Sequence, residues 1–349
     1  MRIIHLLLDE KFTSEYVKMV DSELNKDKKH EFYIITKHKE LRYPLYDNHP
    51  IIIINDSLKG FLHLSYLLKS ADRIIVHGLF NTYLVYLIYL LRVSNKITWA
   101  IWGGDLYDYE TEGRFFFRIK KSIISGFNSV TTIIDGDVEI ARKVYGFKGE
   151  YYPCLLYFSN VIDEKMDRTV IEKKEGEYNI IIGNSADQEN RHEYILSIMK
   201  KIDMLDKLNP KVIVPLSYGS VENAKRVKQL YTSEFGSHVI CLQEFMKKKD
   251  YLGMLSSVDV ALFAHRRQQA VGNIIQLVDM GAKIYMEPYV TTFTWLIKKG
   301  IKVFNIEELN SDLWCPLSEE EKSSNSKIIR RIANKDELIK QWKAIFDNI

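Results

Sequence analysis

The stretch HVICLQEFMKKKDYLGMLSSVDVALFAHRRQQAVGNIIQLVDMGAKIYM, residues 238–286, decides the fold. It opens on a short apolar run at 238–242, turns through 243–246 and enters a helical segment at 248–256. A second apolar run occupies 258–263, a polar loop and an apolar helix fill 264–281, and a third run closes the stretch at 282–286. Short runs rich in Ile and Val, without strict alternation, are what parallel strands covered on both faces require. Strands alternating with helices in this way predict a doubly wound α/β sheet.

The pattern extends in both directions. Upstream lie strands at 178–182 and 211–215 with helices at 190–203 and 221–235, and downstream a last strand at 302–304. The first half repeats the theme, with strands at 3–8, 31–35, 51–54, 73–76, 97–101 and 130–134. Helices at 13–25, 58–70, 80–93, 115–125 and 137–145 separate them. The charge-dense segment 161–177 has no apolar period and reads as a linker. Two Rossmann-like domains are therefore expected, at 1–165 and 178–320, followed by a charged helical tail at 321–349.

Bulk properties narrow the class. The chain has 349 residues, enough for two ordinary domains, and is 46% hydrophobic and 27% charged, which is a globular balance. A formal net charge of +3 argues against a dedicated nucleic-acid binder. Cys154, Cys241 and Cys315 are far apart and form no C-x-x-C pair, so buried, reduced thiols are expected rather than disulfides or a zinc site. The first apolar run is too short for a signal peptide, and the longest, Tyr83 to Leu91, is about half a spanning helix. Any membrane contact is expected to be peripheral.

No G-x-G-x-x-G follows either first strand, and no P-loop, G-x-S-x-G or H-E-x-x-H motif occurs. Three loops at strand ends in the second half stand out, because open α/β sheets bind ligands there. The first holds Gly183, Asn184, Ser185 and Asp187, which offer a close backbone approach and small polar groups, or simply a turn with a helix cap. The second holds Ser217, Tyr218 and Gly219, suited to a base or ribose contact or to a plain turn. Glu244 follows the next strand. The third is the most specific. Arg266 and Arg267 are permanent cations for a diphosphate, Gln268 and Gln269 add amides, and Gly272, Asn273 and Gln276 open a helix whose N–H groups receive phosphate oxygens. Transfer from a nucleoside diphosphate builds negative charge on the leaving group, and such preset donors meet it, so a metal-independent reaction is expected.

Two loops in the first half are candidates for the acceptor side. Asp105, after Trp102, Gly103 and Gly104, is the first choice for a general base, with a turn or helix-cap role as the alternative. His77 is the second, against a structural role in the core. Trp102 and Tyr107 form an aromatic platform for sugar rings or belong to the core. The cationic, apolar segment 114–124 reads as an anionic-membrane contact or as an amphipathic helix with a solvated face.

Four segments in order sharpen the reading: GNSAD at 183–187, VPLSYG at 214–219, YLGML at 251–255 and RQQAVG at 267–272. Together with the strand–loop–helix order of 238–286, they resemble the donor half of the GT-B glycosyltransferases, and more closely glycosyltransferase family 56, the 4-alpha-L-fucosyltransferase family. The resemblance departs at Asn273 and Gln276, where apolar residues are more usual. It implies a GT-B enzyme that moves a 6-deoxyhexose, N-acetylfucosamine or fucose, from a nucleoside-diphosphate donor such as TDP. The acceptor it implies is a polyprenyl-diphosphate-linked glycan of bacterial surface polysaccharide synthesis, enterobacterial common antigen or O-antigen. The place it implies is the cytoplasmic face of the inner membrane. The competing readings are a nucleotide-sugar epimerase or hydrolase on the same fold and a non-catalytic carbohydrate-binding module.

Overall fold

The computed structural model describes residues 1–24, 28–38, 40–43, 51–55, 57–163, 176–202 and 210–349. The chain forms two compact units, Met1–Val161 with Lys335–Ile349 and Ile162–Asn334. Most of the expected linker at 161–177, including the boundary at 165, lies outside the described residues. So do the expected ends, at 25 and 203, of the first helix and of the 190–203 helix.

The first unit is a seven-stranded parallel sheet in the order β3-β2-β1-β4-β5-β6-β7. Its strands are β1 Arg2–Leu7, β2 Lys29–Thr36, β3 Ile51–Asn55, β4 Arg73–His77, β5 Ile97–Ala100, β6 Ser129–Thr132 and β7 Glu150–Pro153. Strand β7 is absent from the sequence reading, because Glu150-Tyr151-Tyr152-Pro153 carries no aliphatic run and borrows its pairing from β6. The central strands are sealed on both faces. Ile3, Ile4, Ile74, Ile75, Ile97 and Trp99 are fully buried, which accounts for their unbroken apolar character.

The second unit is a six-stranded parallel sheet in the order β10-β9-β8-β11-β12-β13. Here the strands are β8 Asn179–Ile182, β9 Lys211–Pro215, β10 Val239–Leu242, β11 Val260–Phe263, β12 Lys283–Met286 and β13 Phe304–Asn305. In each sheet the strand order reverses beside the first strand, between β1 and β4 and between β8 and β11. The crevice at the carboxyl ends of those pairs is where such sheets accept ligands.

The tail expected at 321–349 is two helices with different allegiances. Glu319–Ile332 belongs to the second unit, where Arg330 pairs with Asp279. It begins with a capping box in which Ser318 and Glu321 satisfy each other's backbone N–H groups. Lys335–Asn348 belongs to the first unit and buries Leu338, Trp342, Ile345 and Phe346. Trp342 packs at tilted angles against Tyr16 and His77, and its Nε1 donates to the Leu156 carbonyl at 2.9 Å.

Only Cys154 of the three free thiols is buried; Cys241 is half-buried and Cys315 exposed. Among the described residues no helix is long and apolar enough to cross a membrane.

Candidate functional site

In the second unit the strand-end loops converge on Ser185 and Asp187. Gly183 N–H continues the β11 pairing by donating to the Leu262 carbonyl at 2.9 Å, which carries the 184–187 loop out over the switch point. Asn190 locks this loop from below. Its Oδ1 accepts from Asn184 N–H at 2.9 Å and its amide donates to Ser185 Oγ at 2.9 Å. Gly183 itself serves this packing. It has φ +64°, and a Cβ there would meet Asn190 Oδ1 at 2.7 Å, so the packing of its own loop requires the glycine.

The three expected donor loops are brought together. Tyr218 joins the first loop through its hydroxyl, 2.5 Å from Asn184 Nδ2, and its carbonyl accepts from Ala186 N–H at 2.7 Å. Gly219, at φ +102°, lies so close to Ala186 and Asp187 that a side chain would collide with their backbone. From the third loop, Arg267 pairs with Asp187 at 3.1 Å, and Gln269 Nε2 lies 3.4 Å from Ser185 Oγ. Arg266 is exposed.

The helix Val271–Asp279 starts beside this cluster with Ala270 left-handed at φ 60° and with no side chain capping its first turn. Its Val271, Gly272 and Asn273 N–H groups thus lack the usual side-chain acceptor, and the positive end of the helix dipole is open to an anion. Asn273 hydrogen-bonds the Tyr251 side chain, and Gln276 is buried on the inner side of the helix. Ser217 is half-buried and Glu244 exposed.

Of the buried polar side-chain atoms without a hydrogen-bond partner among the described residues, six gather at this edge. They are Asn184 Oδ1, His192 Nε2, both His265 ring nitrogens, Gln268 Oε1 and Gln269 Oε1. Buried polar groups are ordinarily satisfied, so a group of orphans at one strand edge points to a polar ligand. Burial pushes His265 down to about 3, so this ring is neutral and offers one donor and one acceptor.

Two contributors escaped the sequence reading. Phe245 lies nearly parallel to Tyr218, at 8° and 6.3 Å between centroids, and both rings are exposed. Arg191 sits at the start of the His192–Met199 helix with φ 49°, ion-paired to Glu287 and 3.2 Å from the Ala264 carbonyl. In the sequence, Phe245 and Arg191 stand in charged, polar stretches that read as solvated loop.

In the first unit both residues expected to serve the acceptor proton lie in the interior. Asp105 is fully buried, and its oxygens already accept from three N–H groups. These are Leu79 N–H at 2.8 Å, Trp99 Nε1 at 2.6 Å and Trp102 N–H at 2.9 Å. It ties the β4 and β5 end loops together and is closed off from solvent. Burial raises its carboxyl above the usual range, against the lowering effect of those bonds. His77 is also fully buried, with Nδ1 2.6 Å from the Tyr157 hydroxyl, and burial pushes it down to about 3. Its ring packs among His5, Tyr16, Tyr157 and Trp342, so it is a core group. Gly103, at φ 92°, makes the turn into the short Gly104–Tyr107 helix. The Tyr107 hydroxyl donates to Asp137 at 3.0 Å, and its ring packs on the core.

Trp102 is half-buried in an aromatic group with Phe12, Phe80 and Tyr157, at the ends of β1, β4 and β5. Glu10 lies in the β1 end loop at the switch point of this sheet. It is half-buried, and desolvation raises its carboxyl pKa, with Lys11 opposing. Lys120, expected in a basic patch, is fully buried instead. It pairs with Asp108 at 2.5 Å and Glu112 at 3.0 Å and donates to the Asp105 carbonyl at 2.8 Å.

Two open parallel sheets, each with a ligand-accepting crevice beside its first strand, are the architecture of the two-domain glycosyltransferases. Solved structures share this architecture. Sucrose-phosphate synthase from Thermosynechococcus elongatus aligns at TM-score 0.74 with 10% identity, over 99% of this chain and 98% of that one. HepE of Anabaena, in complex with UDP and glucose, aligns at 0.70 with 10% identity over 100% of both chains. WaaG, a glycosyltransferase involved in lipopolysaccharide biosynthesis, aligns at 0.64 with 10% identity over 100% of both. The fold is GT-B. Residues 11–342 match the family described as 4-alpha-L-fucosyltransferase glycosyl transferase group 56, and the chain belongs to that family. It is a glycosyltransferase.

Proposed function

We propose that this enzyme transfers a 6-deoxyhexose, N-acetylfucosamine or fucose, from a nucleoside-diphosphate donor, TDP above all. The acceptor is a polyprenyl-diphosphate-linked glycan of bacterial surface polysaccharide synthesis, at the cytoplasmic face of the inner membrane. The observation that carries the donor half is the uncapped Val271–Asp279 helix start beside Arg266 and Arg267, with orphaned Gln268, Gln269, His265 and Asn184 atoms around it. The diphosphate is held by the guanidinium groups and by the Gly272 and Asn273 N–H groups, which meet the charge that grows as the glycosidic bond to phosphate breaks. Tyr218 and Phe245 offer ring faces to the base, and Ser185 and Asp187 serve ribose or sugar. No metal is needed in this arrangement, since the cations are supplied by the chain.

On the acceptor side, Trp102 with Phe12 and Phe80 provides a face for sugar rings. Glu10 is the carboxyl suited to take the acceptor hydroxyl proton, because its raised pKa makes it a stronger base than a solvated glutamate. Asp105 positions the Trp102 loop.

Thermal shift across nucleoside diphosphates tests the donor reading. A bound nucleotide at about 100 times its Kd stabilises by about 2.7 kcal/mol, and TDP is expected to give the largest shift. Arg267→Ala is expected to raise donor KM and lower kcat by about tenfold or more, since it removes a charge-assisted contact. Unchanged kinetics would remove Arg267 from the site. Rapid conversion of the donor without acceptor would favour an epimerase or hydrolase instead.

A further inference from the structure

We propose that the face formed by the helices Leu58–Ser70, Thr82–Leu91 and Arg114–Ile124 docks on an anionic phospholipid bilayer. The inference deepens the reading of a lipid-linked acceptor, but it rests on a surface that takes no part in the donor site.

The central helix, Thr82–Leu91, consists of Thr, Tyr, Leu, Val and Ile only. A helix apolar all round is normally buried all round. This one buries Leu84, Val85, Leu87 and Ile88 against the sheet and leaves Tyr83 at 50%, Tyr89 at 45% and Leu90 at 67% exposure. Its neighbour Leu58–Ser70 does the same. Leu64, Leu67 and Leu68 face inward, while Leu58, Leu62 and Tyr66, spaced one turn apart, face solvent. Each helix therefore has a second apolar stripe that the first unit does not cover among the described residues.

The stripes are continuous. Leu58, Phe61, Tyr83 and Leu87 line one groove between the two helices, and Tyr89, Leu90, Arg92 and Ile123 line another toward the third. Phe115 stands 71% exposed at the start of that third helix.

Charge selects the occupant. The three helices contain no Asp or Glu. Lys59, Lys69, Arg114, Arg118 and Lys121 are exposed on them and Arg92 directly after the second, while the flanking acids Asp72 and Glu112 are engaged by Arg2 N–H and by Lys120. A second copy of this chain would bring like charges together, whereas a bilayer with anionic headgroups complements them and accepts the apolar stripes below. Tyrosines on both central helices suit the headgroup boundary, where an apolar ring and a polar hydroxyl are both satisfied. This face also corrects the extent of the 114–124 patch: Lys120 is buried and takes no part, and the larger apolar contribution comes from the two preceding helices.

The full chain is to be sedimented with vesicles of phosphatidylcholine alone and of phosphatidylcholine mixed equally with phosphatidylglycerol, with no sugar present. Binding to the mixed vesicles only, weakened by added salt, is expected. Leu62→Glu and Leu90→Glu are each expected to weaken it by at least about tenfold, since a leucine is withdrawn from apolar contact and an anion placed on the surface. Tyr289→Glu, at an 83% exposed position in the second unit, is expected to bind as the wild type does. Both leucine variants should transfer normally to a short-chain, water-soluble acceptor. Absent binding, equal binding by all variants, or a concentration-dependent dimer abolished by Leu90→Glu would overturn the proposal. Wild-type transfer to the water-soluble acceptor with no wild-type binding to either vesicle would sink this inference and leave the enzymatic reading intact; wild-type vesicle binding without transfer would do the reverse.

Discussion

Asp105 shows how residue type and role separate. A carboxylate after a glycine pair at a strand end has the sequence appearance of a base, yet its environment makes it a knot. Three N–H donors close on its two oxygens inside a site with no exposure. Removing it leaves those donors buried without an acceptor, a loss on the order of 3 kcal/mol. Asp105→Ala is therefore expected to lower the urea midpoint strongly. Glu10→Gln is expected to leave stability near the wild type and to reduce kcat by about a hundredfold or more with little change in donor KM. Stable Asp105→Ala with lost turnover, or fully active Glu10→Gln, would reverse the assignment. Nothing in the sequence separates the two residues, because burial by distant strands decides both. The residues proposed for the donor are more legible: Arg267, Ser185 and Tyr218 stand in loops at strand ends, and an apolar run announces each strand.

At the level of elements, the central strands of both sheets were readable because Ile and Val buried on two faces leave an unbroken run. Strand β7 was not, since its pairing with β6 is set by backbone and not by side-chain pattern. The apolar spacing predicts the Arg114–Ile124 helix, but nothing in the spacing divides its cations. The structure splits them, sending Lys120 inward to hold Asp108 and Glu112. Burial raises Glu112 to about 7, against the pull of Lys120. A carboxyl whose folded pKa lies above its ordinary 4.5 stabilises the fold below that value, and the contribution fades as pH rises through about 7. Glu112→Gln keeps the neutral form at every pH. It is expected to match the wild type in urea unfolding at about pH 5 and exceed it at about pH 8. A variant weaker than the wild type at the higher pH would show that the charged pair is the stabilising form.

On the scale of the whole molecule, the first unit is built from both ends of the chain. The chain leaves the first sheet, builds the second, and returns with Lys335–Asn348 to fill the pocket beside Tyr16 and His77. A charged tail with helical spacing was legible, but its allegiance was not, because amphipathicity states that a face is buried and not against what. Truncation after Asn334 removes buried Leu338, Trp342, Ile345 and Phe346. Losing Trp342 alone is worth about 3–5 kcal/mol. Amide exchange is expected to accelerate through β1, β4 and the helix Thr13–Met19, while nucleotide binding by the second unit survives. Loss of nucleotide binding with the first sheet still protected would contradict this division. The account as a whole stands on the diphosphate site. A crystal structure of the protein with TDP is predicted to place the β-phosphate at the Val271–Asn273 N–H groups, within hydrogen-bond reach of Arg266 or Arg267. Phosphates bound at any other edge of the second sheet, away from that helix start, would contradict it.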